Sequence, residues 1–329
     1  MSSNDSDKVS LSFSPRQNSF QQGLLGLESS KVAGILKLNY PSSKPLVAKR
    51  IELVFSGKEE ILWTEYQPSG RGYTASVVQS EQHEFTRYSF DIWEAERNDG
   101  DKGKDNYEII KNLELPFSFK LENNLPPSTT IKYDDGSARI YYRVVVVIHR
   151  KSNLLKLQGK KKVVKFTIPI TRYGKIPYKS DMILWNSEKE KYGVGYDIKI
   201  EREIFTRGET INVPIKIIIR NSRVKIKKVS VGLKQHTELQ NAGSLVRPKE
   251  SVDLSLEEVD GDMVNLAADS EQEYYIEMNI SIPNNDTVRW SVCQSLLVVW
   301  HQIEVKIVLE SAQDILLEKE VKVINFPKK

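Results

Sequence analysis

The chain holds one cysteine, Cys293, in 329 residues. That excludes an internal disulfide framework and suits a reducing compartment. Long apolar runs are missing as well. The run Val144 to Ile148 is far short of the ~20 residues a helical membrane span needs, and charged residues interrupt the other apolar stretches. The first twenty residues carry acids where a secretory leader would be basic and have no apolar middle, so no leader is expected. The triplets at Asn4, Asn279 and Asn285 then carry no glycosylation meaning.

No charge excess of one sign dominates. A net charge of +4 is mild for a nucleic-acid binder, so no nucleic-acid partner is expected. It leaves room for a local basic patch facing an acidic partner. With 39% hydrophobic residues the chain is globular rather than disordered.

Catalytic signatures are also missing. There are four histidines, but no H-E-x-x-H, no G-x-S-x-G and no Walker A loop, and "YGVGYD" lacks the third glycine of a dinucleotide fingerprint. Cys293 has no base beside it and reads as a small apolar residue entering a strand. His149 and His301 each lie on a long strand, where packing or a surface role is expected. The reading is a non-enzyme with no catalytic residue, cofactor or metal site.

What the chain does have is strands. "RIYYRVVVVIHRKS" (139–152) sets Tyr142, Val144, Val146 and Ile148 on one face and Tyr141, Arg143, Val145, Val147 and His149 on the other. One face is wholly apolar, as in a sandwich strand facing a second sheet. Late in the chain, Leu297, Val299, His301, Ile303, Val305, Ile307 and Leu309 alternate in the same way. Shorter Val-, Ile-, Tyr- and Phe-rich runs bounded by Gly, Pro, Asn or Ser fill the remainder, and no window sustains a helical period. The aromatic residues Trp63, Tyr66, Tyr73, Tyr88, Phe90 and Trp93 are expected mainly in core packing and cross-strand pairs.

"GILKLNYPSSKPLVAKRIELVFSG" (34–57) is weakly repeated by "VPIKIIIRNSRVKIKKVSVGLKQ" (213–235), and in both halves a long apolar strand follows about a hundred residues on. The expected class is all-β, with two tandem immunoglobulin-like β-sandwich domains. The boundaries are placed at 1–7 for a disordered start, 8–175 for the first sandwich and 176–329 for the second. The segment 97–106 reads as a solvated loop, and 240–262 as an acidic connection with at most a short central strand.

Basic residues cluster in three places. "HRKSNLLKLQGKKKVVKF" supplies Arg150, Lys151, Lys156, Lys160, Lys161, Lys162 and Lys165. "VAKRIEL" supplies Lys49 and Arg50, and "RVKIKKV" supplies Arg223, Lys225, Lys227 and Lys228. Any single lysine is explained by protection of an exposed strand. Together, Lys49, Arg50, Arg150, Lys151, Lys160, Lys161 and Lys162 form the candidate site for a phosphate, an acidic tail or an anionic lipid headgroup.

The chain resembles the arrestin superfamily, and within it the α-arrestin branch. The resemblance rests on "KVAGILKLNYPSSKPLVAKRIELVFSGKEEILW" (31–63), on "LELPFSFKLENNLPPSTTIKYDDGSARIYYRVVVVIHR" (113–150) and, more weakly, on "FTRGETINVPIKIIIRNSRVKIKKVSVGLKQHTEL" (205–239). Within these, Pro116 is expected at an edge or strand start, and Gly136 at a turn needing its conformational freedom.

The resemblance implies the arrestin fold and a cytosolic adaptor that binds cytosolic tails of membrane receptors or transporters, phosphorylated or acidic. It implies recruitment to the plasma membrane or endosomes and a link to endocytosis and sorting. A structural subunit of an endosomal sorting coat, like the arrestin-fold subunit of retromer, is the alternative. Many α-arrestins recruit ubiquitin ligases through Pro-Pro-x-Tyr motifs. Here the one Pro-Pro pair, Pro126–Pro127, is followed by Ser128–Thr129, so a ubiquitin ligase is expected only as an indirect partner.

Overall fold

The computed structural model describes residues 8–69, 73–96, 106–151, 159–175, 181–187, 193–221, 223–241, 244–261, 272–310 and 312–327. The expected disordered start and the loop at 97–105 lie outside them. The chain divides into two units, Met1–Arg172 and Tyr173–Lys329.

In the first unit, β1 (Val9–Ser12) and β2 (Gln21–Gln22) pair with one edge of β3 (Ser30–Asn39), and β7 (Asn112–Leu121) pairs with the other. The second sheet runs β10 (Lys161–Ile168), β9 (Gly136–Arg150), β4 (Leu46–Ser69), β5 (Tyr73–Glu94). Beside it, β6 (Glu108–Ile110) pairs with the start of β4, and β8 (Thr129–Tyr133) pairs with the start of β9. The sheets meet through Phe55 of β4, whose ring centroid lies 5.5 Å from that of Phe119 on β7. On β9 the apolar face is fully buried: Tyr142, Val144, Val146 and Ile148 are each 0% exposed. Each such aliphatic side chain contributes roughly 1.5–3 kcal/mol.

The second unit pairs β11 (Ile183–Asn186), β12 (Val194–Ile200), β14 (Thr210–Ile219) and β17 (Gln272–Ser281) in one sheet. The other runs β13 (Ile204–Phe205), β20 (Ile315–Val323), β19 (Leu297–Leu309), β15 (Ile226–Asn241), β16 (Ser244–Asp260), with β18 (Val292–Cys293) beside the start of β19. Val213, Ile215 and Ile217 of β14 share one core with Val229 and Val231 of β15 and with Ile303, Val305 and Ile307 of β19. The alternating face of β19 read from the sequence is buried from Leu297 to Leu309, His301 included.

The internal repeat has a topological counterpart. In each unit a strand of one sheet (β3, β14) leads into a strand of the other (β4, β15). The later long strand (β9, β19) pairs with the latter, and the next strand (β10, β20) folds back on it.

Several expectations are corrected. The segment 240–262 is not a connection: β16 spans seventeen of its residues and pairs along β15. Its acids hid it, because an edge strand carries charge on both faces. Gly136 does not hold a positive φ. Its need is space, since a Cβ there would lie 2.2 Å from the Leu62 carbonyl oxygen. Pro116, by contrast, lies on an edge as expected: it sits within β7, opposite Ile35, and among the described residues β7 pairs with β3 alone, so a residue without an N–H is tolerated there. Of the aromatic set, Tyr88 stacks on Phe55 and Phe90 lies against Phe119, as core packing requires, while Trp63 and Trp93 are half-buried and Tyr66 is 67% exposed. Cys293 enters β18 as read, but exposed rather than packed.

Candidate functional site

The start of β4, the end of β9 and the start of β10 lie side by side, so residues far apart in sequence share one end of a sheet. Ala48 is opposite Arg150, Arg50 is opposite His149, and His149 is opposite Lys161. The register slips between Ala48 and Arg50, leaving Lys49 as the extra residue of a bulge. The bulge lets both Ala48 and Ile51 turn into the core at 0% exposure, with two basic residues between them.

The candidate cations are not equivalent. Arg50 is engaged: Nη1 reaches Asp91 Oδ2 at 3.2 Å, and Nη2 donates to His149 Nε2 at 3.1 Å. A guanidinium only donates, so His149 accepts on Nε2 and carries its proton on Nδ1. Burial first, and then the Arg50 charge, hold His149 below its ordinary pKa; Glu52, 3.6 Å away, acts in the opposite direction. Arg150 donates from Nε to the Gly159 carbonyl at 3.0 Å.

Lys151, Lys160 and Lys161 are exposed and have no carboxylate partner among the described residues. Lys162 departs from this group. It pairs with Ile148, on the face opposite Lys161, and its Nζ lies 3.2 Å from the Tyr40 hydroxyl and 5.5 Å above that ring's centre. Lys156 lies outside the described residues. Of the remaining basic cluster, Lys228 forms an ion pair with Glu258.

Sequence reasoning missed His149, Glu52 and Asp91 as members of this end. Only the strand register joins them, and no local pattern announces it. The result is a cationic rim with an imidazole at its centre, able to offer charge-assisted hydrogen bonds to carboxylates or phosphates.

The chain thus presents two successive β-sandwich units of shared topology, the first of which carries the cationic rim. Residues 192–327 match the family model described as Arrestin (or S-antigen), C-terminal domain. The match covers most of the second unit and supports the arrestin superfamily, whose proteins are non-enzymatic trafficking adaptors in general. No curated protein matches the chain. Among the described residues no helix is long and apolar enough to cross a membrane.

Proposed function

We propose that the chain is a cytosolic adaptor of α-arrestin type. It binds cytosolic tails of membrane receptors or transporters and links them to endocytosis and sorting, recruited peripherally to the plasma membrane or endosomes. The observation that carries this reading is the juxtaposition of Lys49, Arg50, Arg150, Lys151, Lys160 and Lys161 at one sheet end, with Lys151, Lys160 and Lys161 exposed and without a carboxylate partner among the described residues. Phosphorylated or acidic tails and anionic lipid headgroups are the partners such a rim suits. A ubiquitin ligase enters only through an intermediary, because Pro126 and Pro127 are buried and no tyrosine completes the motif.

The test is capture of solubilised membrane proteins by the full chain, with and without phosphatase treatment, identified by mass spectrometry. Enrichment of transporters or receptors, lost in the triple variant Lys151→Glu, Lys160→Glu, Lys161→Glu, is the expected result. Enrichment of coat subunits, indifferent to phosphatase and to the variant, overturns it in favour of a sorting-coat subunit.

A further inference from the structure

One ring nitrogen in the rim faces two partners that require opposite protonation states. His149 Nε2 lies 3.1 Å from Arg50 Nη2, which can only donate, and 3.6 Å from Glu52 Oε2, which can only accept. The neutral ring satisfies Arg50 and turns a lone pair toward Glu52. The protonated ring reverses this, because its Nε2–H bonds the carboxylate and repels the guanidinium.

The surroundings make this an exchange between two arrangements. His149 is buried, so an unpartnered Nε2 would be costly in either state. Arg50 is anchored through Nη1 on Asp91 at 3.2 Å, and both side chains reach solvent. Its Nη2 can therefore leave the ring while the guanidinium stays on the rim. The charged groups facing the ring are Arg50 and Glu52 from β4 and Lys161 from β10. Asp91 of β5 acts on it through Arg50, Lys162 faces the other side of the sheet, and Arg150, next along β9, donates to the Gly159 carbonyl. Burial first and the Arg50 charge second keep the ring neutral at neutral pH, with Arg50 occupied.

We infer that His149 is a proton-operated gate on the cationic rim. On taking up a proton it passes from Arg50 to Glu52, and Arg50 Nη2 becomes free to donate to an anionic ligand. The same step adds a positive charge beside Lys161, so the rim holds acidic ligands more tightly in mild acid than at neutral pH. The gate regulates the proposed tail-binding site and depends on that reading for the ligand's source; the partner exchange does not.

Linkage fixes the direction. An anion on the rim offsets the cations around His149 and raises its pKa, so the protonated protein binds that anion more tightly by the same factor. Affinity is therefore flat above the pKa of the bound form. It rises as pH falls through that value and levels off below the pKa of the free form, which lies under 6.5. Each unit by which the anion raises the pKa adds about tenfold to the affinity.

The test titrates the full chain with a capped synthetic peptide carrying three sulfotyrosines, at fixed ionic strength, from about pH 7.5 to about pH 5.5. Sulfate esters keep their charge over this range, whereas a phosphate itself titrates near pH ~6. Binding should tighten about three- to tenfold toward the acid end. In His149→Gln, whose amide takes up no proton, the ratio of affinities at the two ends should fall to near one. Glu52→Gln removes the acceptor of the protonated ring and should move the rise to lower pH, which tests the gate even where His149→Gln fails to fold. In the unbound protein, the NMR signals of the Arg50 guanidinium should move with the His149 titration.

A peptide bound with equal affinity across the range overturns the gate and leaves the rim, and the adaptor role, standing. A tightening retained in full by a folded His149→Gln overturns it equally, since another group then carries the proton. A peptide bound at no pH overturns the rim as a binding site, and the gate and the adaptor role with it.

Discussion

Tyr142 donates its hydroxyl to the carbonyl of Pro126 at 2.6 Å, inside the first unit's core. The tyrosine is 0% exposed, and burial pushes its phenol well above the ordinary range, so it remains a donor throughout the working pH. This bond fastens the segment Leu125–Pro127, which is buried, to the long central strand. Ser128 continues the strap: its N–H donates to the Ile170 carbonyl, and its Oγ accepts from the Ile170 N–H at 2.9 Å. Tyr142→Phe keeps the ring and orphans a buried carbonyl, so a loss of about 1–3 kcal/mol is expected. Equilibrium denaturation measures it. Unchanged stability would show that the strap is held by packing alone.

Val146→Asp is expected to unfold the first unit. Val146 is 0% exposed on the inward face of β9, so the carboxylate would be buried without a partner, at a cost of about 4 kcal/mol or more. Because the second unit has its own core, calorimetry should show one transition lost and one retained. A variant melting like the wild type would contradict the inward placement of this face.

The fold was legible where alternation is strict. On β9 from Ala138 to Ile148, and on β19 apart from His301, every second residue is apolar, and the structure buries those residues. It was illegible where a charge points inward. Glu59 is 0% exposed on the core side of β4, held by His83 Nδ1 at 2.8 Å, although "SGKEEILW" offers it as one of two equivalent glutamates. The partner comes from the other arm of a hairpin, 24 residues away, and no local pattern announces it. The basic residues were legible as composition, since they come in adjacent pairs, Lys49–Arg50, Arg150–Lys151 and Lys160–Lys161. Their division was not: strand alternation sends Lys161 and Lys162 to opposite faces, and only the β9 register says which neighbours each one meets.

Stability should fall in mild acid because of His301. Its ring is 0% exposed, and burial first, then the charges of His236 and Arg207, lower its pKa to about 3. In the unfolded chain it titrates near 6.5. Between those values the unfolded state binds the proton and the folded state does not. The contribution of a neutral His301 is therefore whole above about pH 6.5 and is lost progressively toward pH 3, at roughly 1.4 kcal/mol per pH unit. Urea melts of the wild type and of His301→Gln should diverge in slope over that window. Parallel curves would mean that other groups govern the acid response.

His149 offers an internal reporter of the rim. Its imidazole is nearly buried between Arg50, 3.1 Å from Nε2, and the neighbouring strand that carries Lys161, and its pKa lies below the ordinary value. The sign of each perturbation is therefore fixed in advance. Arg50→Gln removes a nearby positive charge and should raise the pKa. An anion bound between Lys151, Lys160 and Lys161 partly cancels the cationic field and should also raise it. Lys162→Glu should act less through His149 than Lys161→Glu, since its side chain lies on the other face, against Tyr40. Imidazole titration by NMR, with and without a saturating acidic peptide, reads all three. If the peptide binds and the His149 titration does not move, the acidic ligand is seated elsewhere, and the rim loses its place as the binding site.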